Sequence, residues 1–246
     1  MYIQFLKFQK KITSFITSRI DRLVLDTNIK PHELKVNLDD KCLVITSNPM
    51  DECLGLGGFM LSYPKNFEIL TMCSGYNDKE YTSSINSKIV VHNEFKTAME
   101  LLRPAGYKNF DINPGELWQN RKIFEKINIA DTDYLFLPNL FSTNKDDIAI
   151  LKSMAEILKY TECKRDLKIV LFEVNSALIM PNFYFDISKK VKIKKELLDC
   201  YKTRNSYGNW FEVVLGLNRF RGSRVRVDYA EAFCVLEIKD FLGLMK

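Results

Sequence analysis

The sequence predicts an α/β fold in which a mostly parallel sheet lies between two layers of helices. Three observations support this prediction: short apolar runs end in polar turns, helical patterns fill the intervals between the runs, and the composition is that of a globular protein. The apolar runs cover residues 42–46, 67–73, 133–138 and 168–174. Strands that alternate with helices pair in parallel, because each helix returns the chain to the edge of the sheet where the strand began.

The remaining elements follow from the spacing of apolar residues. Helical patterns, with an apolar residue every three or four positions, cover residues 52–62, 93–103, 117–128 and 145–160. Residues 186–203 and 207–219 predict two more helices, and residues 229–238 predict a late strand at the edge of the sheet. Because no repeat or linker interrupts this pattern, we expect residues 31–246 to form a single α/β domain.

Residues 1–30 predict an N-terminal amphipathic helical extension. Apolar side chains recur at helical spacing at Phe5, Phe8, Ile12 and Ile20, with lysines and serines between them. Residues 1–24 contain five basic residues and one acidic residue, a local charge of +4. The helix suits a membrane surface, which residues 1–25 would contact, or equally a position across the domain or against a protein partner.

Composition excludes several classes of protein. With 46% hydrophobic and 27% charged residues in 246, the chain is neither disordered nor collagen-like nor of low complexity. No apolar run approaches the ~18 residues that cross a bilayer, and the N-terminus lacks the pattern of a secretory signal. Six scattered cysteines without a C-x-x-C pair predict buried thiols in a reducing compartment. We therefore expect a cytoplasmic protein, peripheral to the inner face of the membrane if the N-terminal helix binds lipid.

The formal net charge of +5 is unevenly distributed along the chain. Besides the N-terminal segment, residues 186–226 carry eleven lysines and arginines against four acids. This stretch suits anionic lipid head groups or phosphorylated sugars, and solvated helix faces explain it equally simply. We expect no nucleic-acid partner.

The first strand ends in a polar turn that holds two acids, and a glycine-containing helix follows. In a parallel sheet, ligands bind beyond the carboxyl ends of the strands, so this turn is a candidate site. Asp51 and Glu52 stand where a helix N-terminus favours negative charge, and capping the helix is an equally simple role for them. The turn is not a dinucleotide fingerprint, because its glycines, Gly55, Gly57 and Gly58, fall inside the helix.

Residues 47–58 resemble the PIG-L/LmbE-like family of zinc-dependent N-acetylglucosaminide deacetylases. In that family the first strand ends in Ala-His-Pro-Asp-Asp-Glu, followed by Leu-Gly-x-Gly-Gly, and this chain follows the frame without a gap. Further matches extend the similarity over about residues 40–238, and they include residues 113–116, residues 133–139, Arg221-Gly222 and residues 229–233. The resemblance implies a Rossmann-like three-layer fold and a pocket for an amino sugar.

The resemblance also implies which residues would carry the chemistry, and most of these positions are substituted. The family uses two histidines and an aspartate to bind zinc, and the first aspartate of the loop as the base. In this chain Asn48 replaces the first histidine, Met50 replaces the base, and Asp51 is retained. The second motif, His-Pro-Asp-His, aligns with residues 144–147, so that Asp146 is retained and Asp147 replaces a histidine.

These substitutions predict a degenerate deacetylase. A carboxamide is a poor zinc ligand and a thioether cannot accept a proton, and the loss of a positioned acid–base residue costs about 10²–10⁴ in rate. We therefore expect no cofactor, and a protein of glycoconjugate or cell-surface polysaccharide metabolism that keeps a scaffolding role or binds an amino sugar or nucleotide sugar.

Two alternatives stay open. In the first, Asn48, Asp51 and Asp147 hold zinc or a harder divalent cation, with Asp146 or Asp147 as the base of an active N-acetyl-amino-sugar deacetylase. In the second, the protein is a peripheral membrane or assembly module that acts through its basic N-terminal helix.

Overall fold

The computed structural model describes residues 31–75 and 86–246, and the predicted N-terminal helix lies outside this part of the chain. In it, eight strands form one sheet, in the order β1-β7-β8-β6-β5-β2-β3-β4. Strand β8 pairs antiparallel with β6 and β7, and the other neighbouring strands pair in parallel. The strands are β1 (His32–Glu33), β2 (Cys42–Thr46), β3 (Phe67–Cys73), β4 (Gly106–Ile112), β5 (Tyr134–Pro138), β6 (Lys168–Phe172), β7 (Phe183–Asp186) and β8 (Ala230–Glu237).

Helices cover both faces of the sheet, which confirms the predicted three-layer α/β fold. They are α1 (Asp51–Met60), α2 (Asn86–Leu102), α3 (Lys145–Leu158), α4 (Val191–Asp199), α5 (Lys202–Asn205), α6 (Trp210–Val225) and α7 (Ile238–Leu244), with 3-10 turns at Pro64–Asn66 and Arg121–Lys126. In the described residues no helix is both long and apolar enough to cross a bilayer.

Alternating residues of the central strands build two separate cores. In β2, Cys42 and Val44 join the core beneath α1 and α2, whereas Leu43 and Ile45 join the core beneath α3 and α7. Successive side chains of a strand point to opposite faces, so a strand covered on both sides is apolar at every position. This is why the buried strands appeared in the sequence as continuous apolar runs.

Helix α1 lies unusually close to the sheet because its glycines leave room for neighbouring elements. A Cβ atom at Gly55 would meet the ring of Phe172 and would lie 2.6 Å from the carbonyl oxygen of Glu173. The buried carboxylate of Glu231 accepts the N–H groups of Gly58 at 2.8 Å and Phe59 at 2.9 Å. These contacts fix the middle and the C-terminal half of α1 against the sheet, and so they position the helix whose first turn carries Asp51.

A buried ion pair holds the helices around α1 together. Lys194, on α4, places its Nζ 2.7 Å from Oε1 of Glu231 on β8, and it also donates to the carbonyl of Leu54 and the side chain of Asn218. A buried pair is stable when further hydrogen bonds satisfy its remaining atoms, and this pair meets that condition.

The structure corrects several predicted elements. Strand β8 lies between β6 and β7 instead of at the edge of the sheet. It pairs antiparallel with both strands, and it thereby joins the parallel pair β1–β7 to the parallel strands on the other side of the sheet. The predicted helix at 186–203 begins at Val191, since Asp186 ends strand β7, and it is interrupted before α5. Residues 117–128 form turns and a 3-10 segment in place of an α-helix, and they bury only Leu117 and Phe124, which leaves a regular helix little packing to stabilise it.

Candidate functional site

The candidate site lies at the topological switch point of the sheet, between strands β2 and β5. From β2 the chain adds β3 and β4 on one side, and it later adds β5 and β6 on the other. The turns after β2 and β5 therefore separate and leave a crevice at the carboxyl ends of the strands. A pocket of about 460 Å³ opens there, lined by Asn48, Pro49, Gly75, Val91, Glu94, Pro114, Gly115, Asn144, Lys145, Asp146, Tyr201, Arg204, Tyr207 and Trp210.

Met50, at the base position that the resemblance implies, points into the core. Its backbone adopts the left-handed region, with φ of 85°, and its side chain is fully buried among the apolar residues beneath α1. A side chain in this region is strained, so the surrounding turn must hold it in place. Position 50 therefore contributes packing, and a thioether there has no capacity to take a proton from water.

The retained acid of the turn, Asp51, forms an ion pair with Arg204. The guanidinium Nη1 of Arg204 donates to Oδ1 of Asp51 at 2.7 Å and to the carbonyl oxygen of Pro49 at 2.9 Å. The second carboxylate oxygen, Oδ2, accepts from the hydroxyl of Ser47 and the backbone N–H of Asn48, both at 3.1 Å. The buried negative charge of Asp51 is thus neutralised by a protein cation.

Two amide side chains converge on the hydroxyl of Ser47. The Nδ2 atoms of Asn48 and Asn144 lie 3.0 and 3.4 Å from Ser47 Oγ. Asn144 also caps α3, because its Oδ1 accepts the backbone N–H of Asp146 at 2.8 Å. These contacts link the turn after β2 to the turn after β5.

Asp147 faces the same network from the first turn of α3. Its Oδ2 accepts from the hydroxyl of Ser142 at 2.5 Å and from Nδ2 of Asn175 at 3.2 Å. Burial, followed by the charge of Asp51, raises the pKa of Asp147 to about 6. Asp51 and Asp147 therefore lie close enough for their charges to interact, with arginine, serine and asparagine groups around them.

Asp146 anchors a loop. Its two oxygens accept the backbone N–H groups of Gly115, at 2.6 Å, and Leu117, at 3.3 Å. These bonds hold residues 113–117 against the first turn of α3, at the edge of the pocket. The alternative assigns a catalytic role to Asp146, and in the structure each of its oxygens accepts one of these backbone N–H groups.

Glu52, next to Asp51, is a buried carboxyl behind the pocket. Its Oε1 accepts the hydroxyl of Tyr201 at 2.6 Å and the N–H of Met50 at 3.2 Å, and its Oε2 meets no hydrogen-bond donor among the described residues. Burial raises the pKa of Glu52 to about 7. Since Tyr201 lines the pocket, Glu52 supports one of its walls.

The donor set does not fit zinc. Both oxygens of Asp51 already accept hydrogen bonds, and the one to Oδ1 comes from the guanidinium of Arg204. Besides carboxylates, zinc sites in proteins are built from imidazole and thiolate groups. Among the described residues no three histidine, cysteine, aspartate or glutamate side chains are grouped so that they could hold a metal. Both histidines, His32 and His92, are exposed and stand apart from the pocket lining.

One part of the pocket wall was not predicted from the sequence. It comes from the segment 201–210, where Tyr201, Tyr207 and Trp210 line the pocket and Arg204 stacks on the ring of Trp210 at 5.3 Å. The buried indole N–H of Trp210 meets no acceptor within the described part of the chain. The aromatic and basic composition of residues 201–210 was the available signal for a binding surface. These residues lie far from Asp51 along the chain, so the ion pair between Arg204 and Asp51 could not be predicted from the sequence.

Comparison with known proteins identifies similar folds. No family model and no curated protein matches the sequence. An N,N′-diacetylchitobiose deacetylase from Pyrococcus horikoshii, solved with an inhibitor, is 17% identical over 92% of this chain and 94% of that chain, with a TM-score of 0.68. A teicoplanin deacetylase in its zinc-inhibited form is 11% identical over 79% of this chain and 97% of that chain, with a TM-score of 0.59.

The same fold also carries other chemistry. A 4-carboxy-2-hydroxymuconate hydratase from Pseudomonas putida KT2440 is 14% identical over 80% of this chain and 96% of that chain, with a TM-score of 0.58. Activity must therefore be argued from the site. The comparisons establish that this chain shares its fold with these two deacetylases and with the hydratase.

Proposed function

We propose that this protein is a deacetylase-like protein that binds an amino sugar or nucleotide sugar without hydrolysing its amide bond. The observation that carries the proposal is the pairing of Asp51 with Arg204 at 2.7 Å, beside a base position filled by the buried Met50. It would act in glycoconjugate or cell-surface polysaccharide metabolism, as a ligand-binding protein or as a scaffold for an active partner.

Amide hydrolysis needs an ionised water and a charge that stabilises the tetrahedral oxyanion. A metal supplies both when a neighbouring carboxylate takes the proton of its water. In this chain the carboxylate at the ligand position is held by a guanidinium, and the base position contributes a thioether to the core. A guanidinium does not ionise water, so the hydrolytic step lacks both of its agents.

Sugar binding is supported by the pocket wall. Tyr207 and Trp210 line the pocket with aromatic side chains of the kind that pack on the C–H faces of a pyranose ring, and Asn48 and Asn144 add amide groups to the same lining. The indole N–H of Trp210, which meets no acceptor among residues 31–75 and 86–246, would gain one from a hydroxyl or acetyl oxygen of a ligand. A buried donor without a partner costs about 1–3 kcal/mol, so a ligand that satisfies it is favoured.

Ligand-observed NMR tests both halves of the proposal. With N,N′-diacetylchitobiose or UDP-N-acetylglucosamine as the probe, we expect saturation transfer to the acetyl methyl signal and no growth of a free acetate signal. Trp210→Ala should reduce the transfer several-fold. The matched control is Tyr160→Ala, which removes an aromatic ring that is 89% exposed and outside the pocket lining.

Two results would contradict the proposal. If neither probe receives saturation transfer from the protein, the proposal of sugar binding is wrong. Release of acetate that added zinc or manganese stimulates and Asp51→Asn abolishes would establish the alternative, an active deacetylase with a non-standard metal site. The feature that favours this alternative is the electrostatic proximity of Asp147 to Asp51.

A further inference from the structure

We propose that Arg204 is a built-in counter-ion that takes the place of a divalent cation and excludes one from the pocket. The inference rests on the proposed function, because both start from the pairing of Arg204 with Asp51. It goes further by assigning the exclusion of metal to one residue, and it is tested by metal affinity instead of sugar binding or acetate release. The two proposals can therefore fail separately.

Contacts with Asp51, Pro49 and Trp210 hold the guanidinium in place. Its Nη1 bonds Oδ1 of Asp51 and the carbonyl of Pro49, and its planar group lies over the ring of Trp210. The Asp51 side chain is 3% exposed and that of Arg204 23%, so solvent screens the pair only weakly. Arg204 thus ties the turn after β2 to the aromatic wall of the pocket.

A cation bound to Asp51 would compete directly with this arrangement. A metal–carboxylate bond is about 2.0–2.2 Å long, so a metal on Oδ1 would lie within a few ångströms of the guanidinium. Two positive charges at that separation repel strongly where water is scarce. Arg204 would have to leave both Asp51 and Pro49 before the metal could enter.

The pairing also explains how the pocket stays organised without a metal. Two acids, Asp51 and Asp147, are buried at the junction of two turns, and an unneutralised pair would repel. Arg204 supplies positive charge as part of the chain, so the turns keep their geometry whatever the metal supply. The pocket is therefore ready to bind its ligand in the absence of divalent cations.

The experiment separates exclusion by Arg204 from the simple lack of ligands. Histidines are first introduced by Asn48→His with Asp147→His, which restores the two imidazole positions. Zinc affinity is then measured by competition with a chromophoric chelator in this double variant, alone and with Arg204→Gln. We expect Arg204→Gln to tighten zinc binding by at least about tenfold, since it removes a fixed charge beside the ligand.

Two control variants on the same background sharpen the result. Arg204→Lys keeps the charge and should leave zinc binding weak. Lys145→Gln removes another cation of the pocket lining, one that forms no ion pair with Asp51 in the described part of the chain, and should change zinc affinity little. The proposal is overturned if the double variant already binds zinc as tightly as the triple variant, or if Lys145→Gln has the same effect as Arg204→Gln.

A stability cycle provides a second test in case the histidine variants do not fold. Arg204→Gln should lower the unfolding midpoint in the natural sequence and lower it much less in an Asp51→Asn background, because the charge left unpaired is then absent. Equal losses in the two backgrounds would show that Arg204 does not act as the counter-ion of Asp51.

Discussion

At the scale of single residues, the site is defined by the group that donates hydrogen bonds to each buried acid. Asp51 is paired with Arg204, Asp146 with two backbone N–H groups, and Asp147 with hydroxyl and amide donors. The sequence indicated these acids because they lie at the starts of the helices that follow strands β2 and β5. It did not predict their partners, because those partners come from residues far away along the chain.

Glu52 makes the stability of the protein depend on pH. Its pKa rises on folding from 4.5 to about 7, mainly through burial. Between these two values the folded state holds a proton that the unfolded chain has released, so stability falls as the pH rises through this window and levels off above it. At 1.36 kcal/mol per pKa unit the full effect is about 3 kcal/mol.

Replacing the carboxyl by an amide should remove this dependence. In Glu52→Gln the loss of stability between pH 5 and pH 8, measured by urea unfolding, should be smaller than in the natural protein by up to about 3 kcal/mol. The exposed Glu125→Gln serves as the control and should keep the natural pH profile. An unchanged profile in Glu52→Gln would show that Glu52 does not titrate in this window.

At the scale of elements, the glycines of α1 allow the helix that carries Asp51 to approach the sheet. Gly55→Ala should destabilise the protein by about 1–3 kcal/mol, because the new methyl group would overlap the backbone of Glu173 and the ring of Phe172. Chemical denaturation measures the loss.

A glycine in an open helix position provides the contrast. Nothing lies within 4 Å of a Cβ at Gly216 on α6, so Gly216→Ala should raise stability by about 0.5–1 kcal/mol through the helix propensity of alanine. Similar effects of the two substitutions would contradict the close packing of α1.

The elements that the sequence predicted well are those buried on both faces. Strands β2 and β3 have the predicted bounds, because uninterrupted apolar residues mark a strand covered on two sides. Strand β4 escaped prediction because it lies at the edge of the sheet and is partly exposed along its length. Strand β7 was assigned partly to a helix, because its four residues are too few to show a period.

At the scale of the whole molecule, the fold followed from the alternation of strands and helices and from the motifs together. The order of the strands, with β8 inserted antiparallel between β6 and β7, required the structure, because pairing partners are not encoded in local spacing. The deacetylase-like fold similarly leaves the activity open, and our proposal that the protein does not hydrolyse amides rests on the contacts of Asp51 and the position of Met50.

The basic N-terminal segment carries a separate prediction. If residues 1–25 bind a membrane surface, the full chain should float with liposomes that contain anionic lipid, and a chain lacking residues 1–25 should not, because the segment contributes its local charge of +4 and its apolar face. Equal flotation of the two chains, or flotation of neither, would remove the membrane role and leave packing within the domain or against a partner.

The central claim is that Arg204, and not a metal, neutralises Asp51. Mass spectrometry of the zinc, manganese and iron content of the full chain, purified without chelator, tests this most directly. The account predicts far less than one metal atom per chain and no change in content on Asp51→Asn. One metal atom per chain, lost on Asp51→Asn, would contradict it.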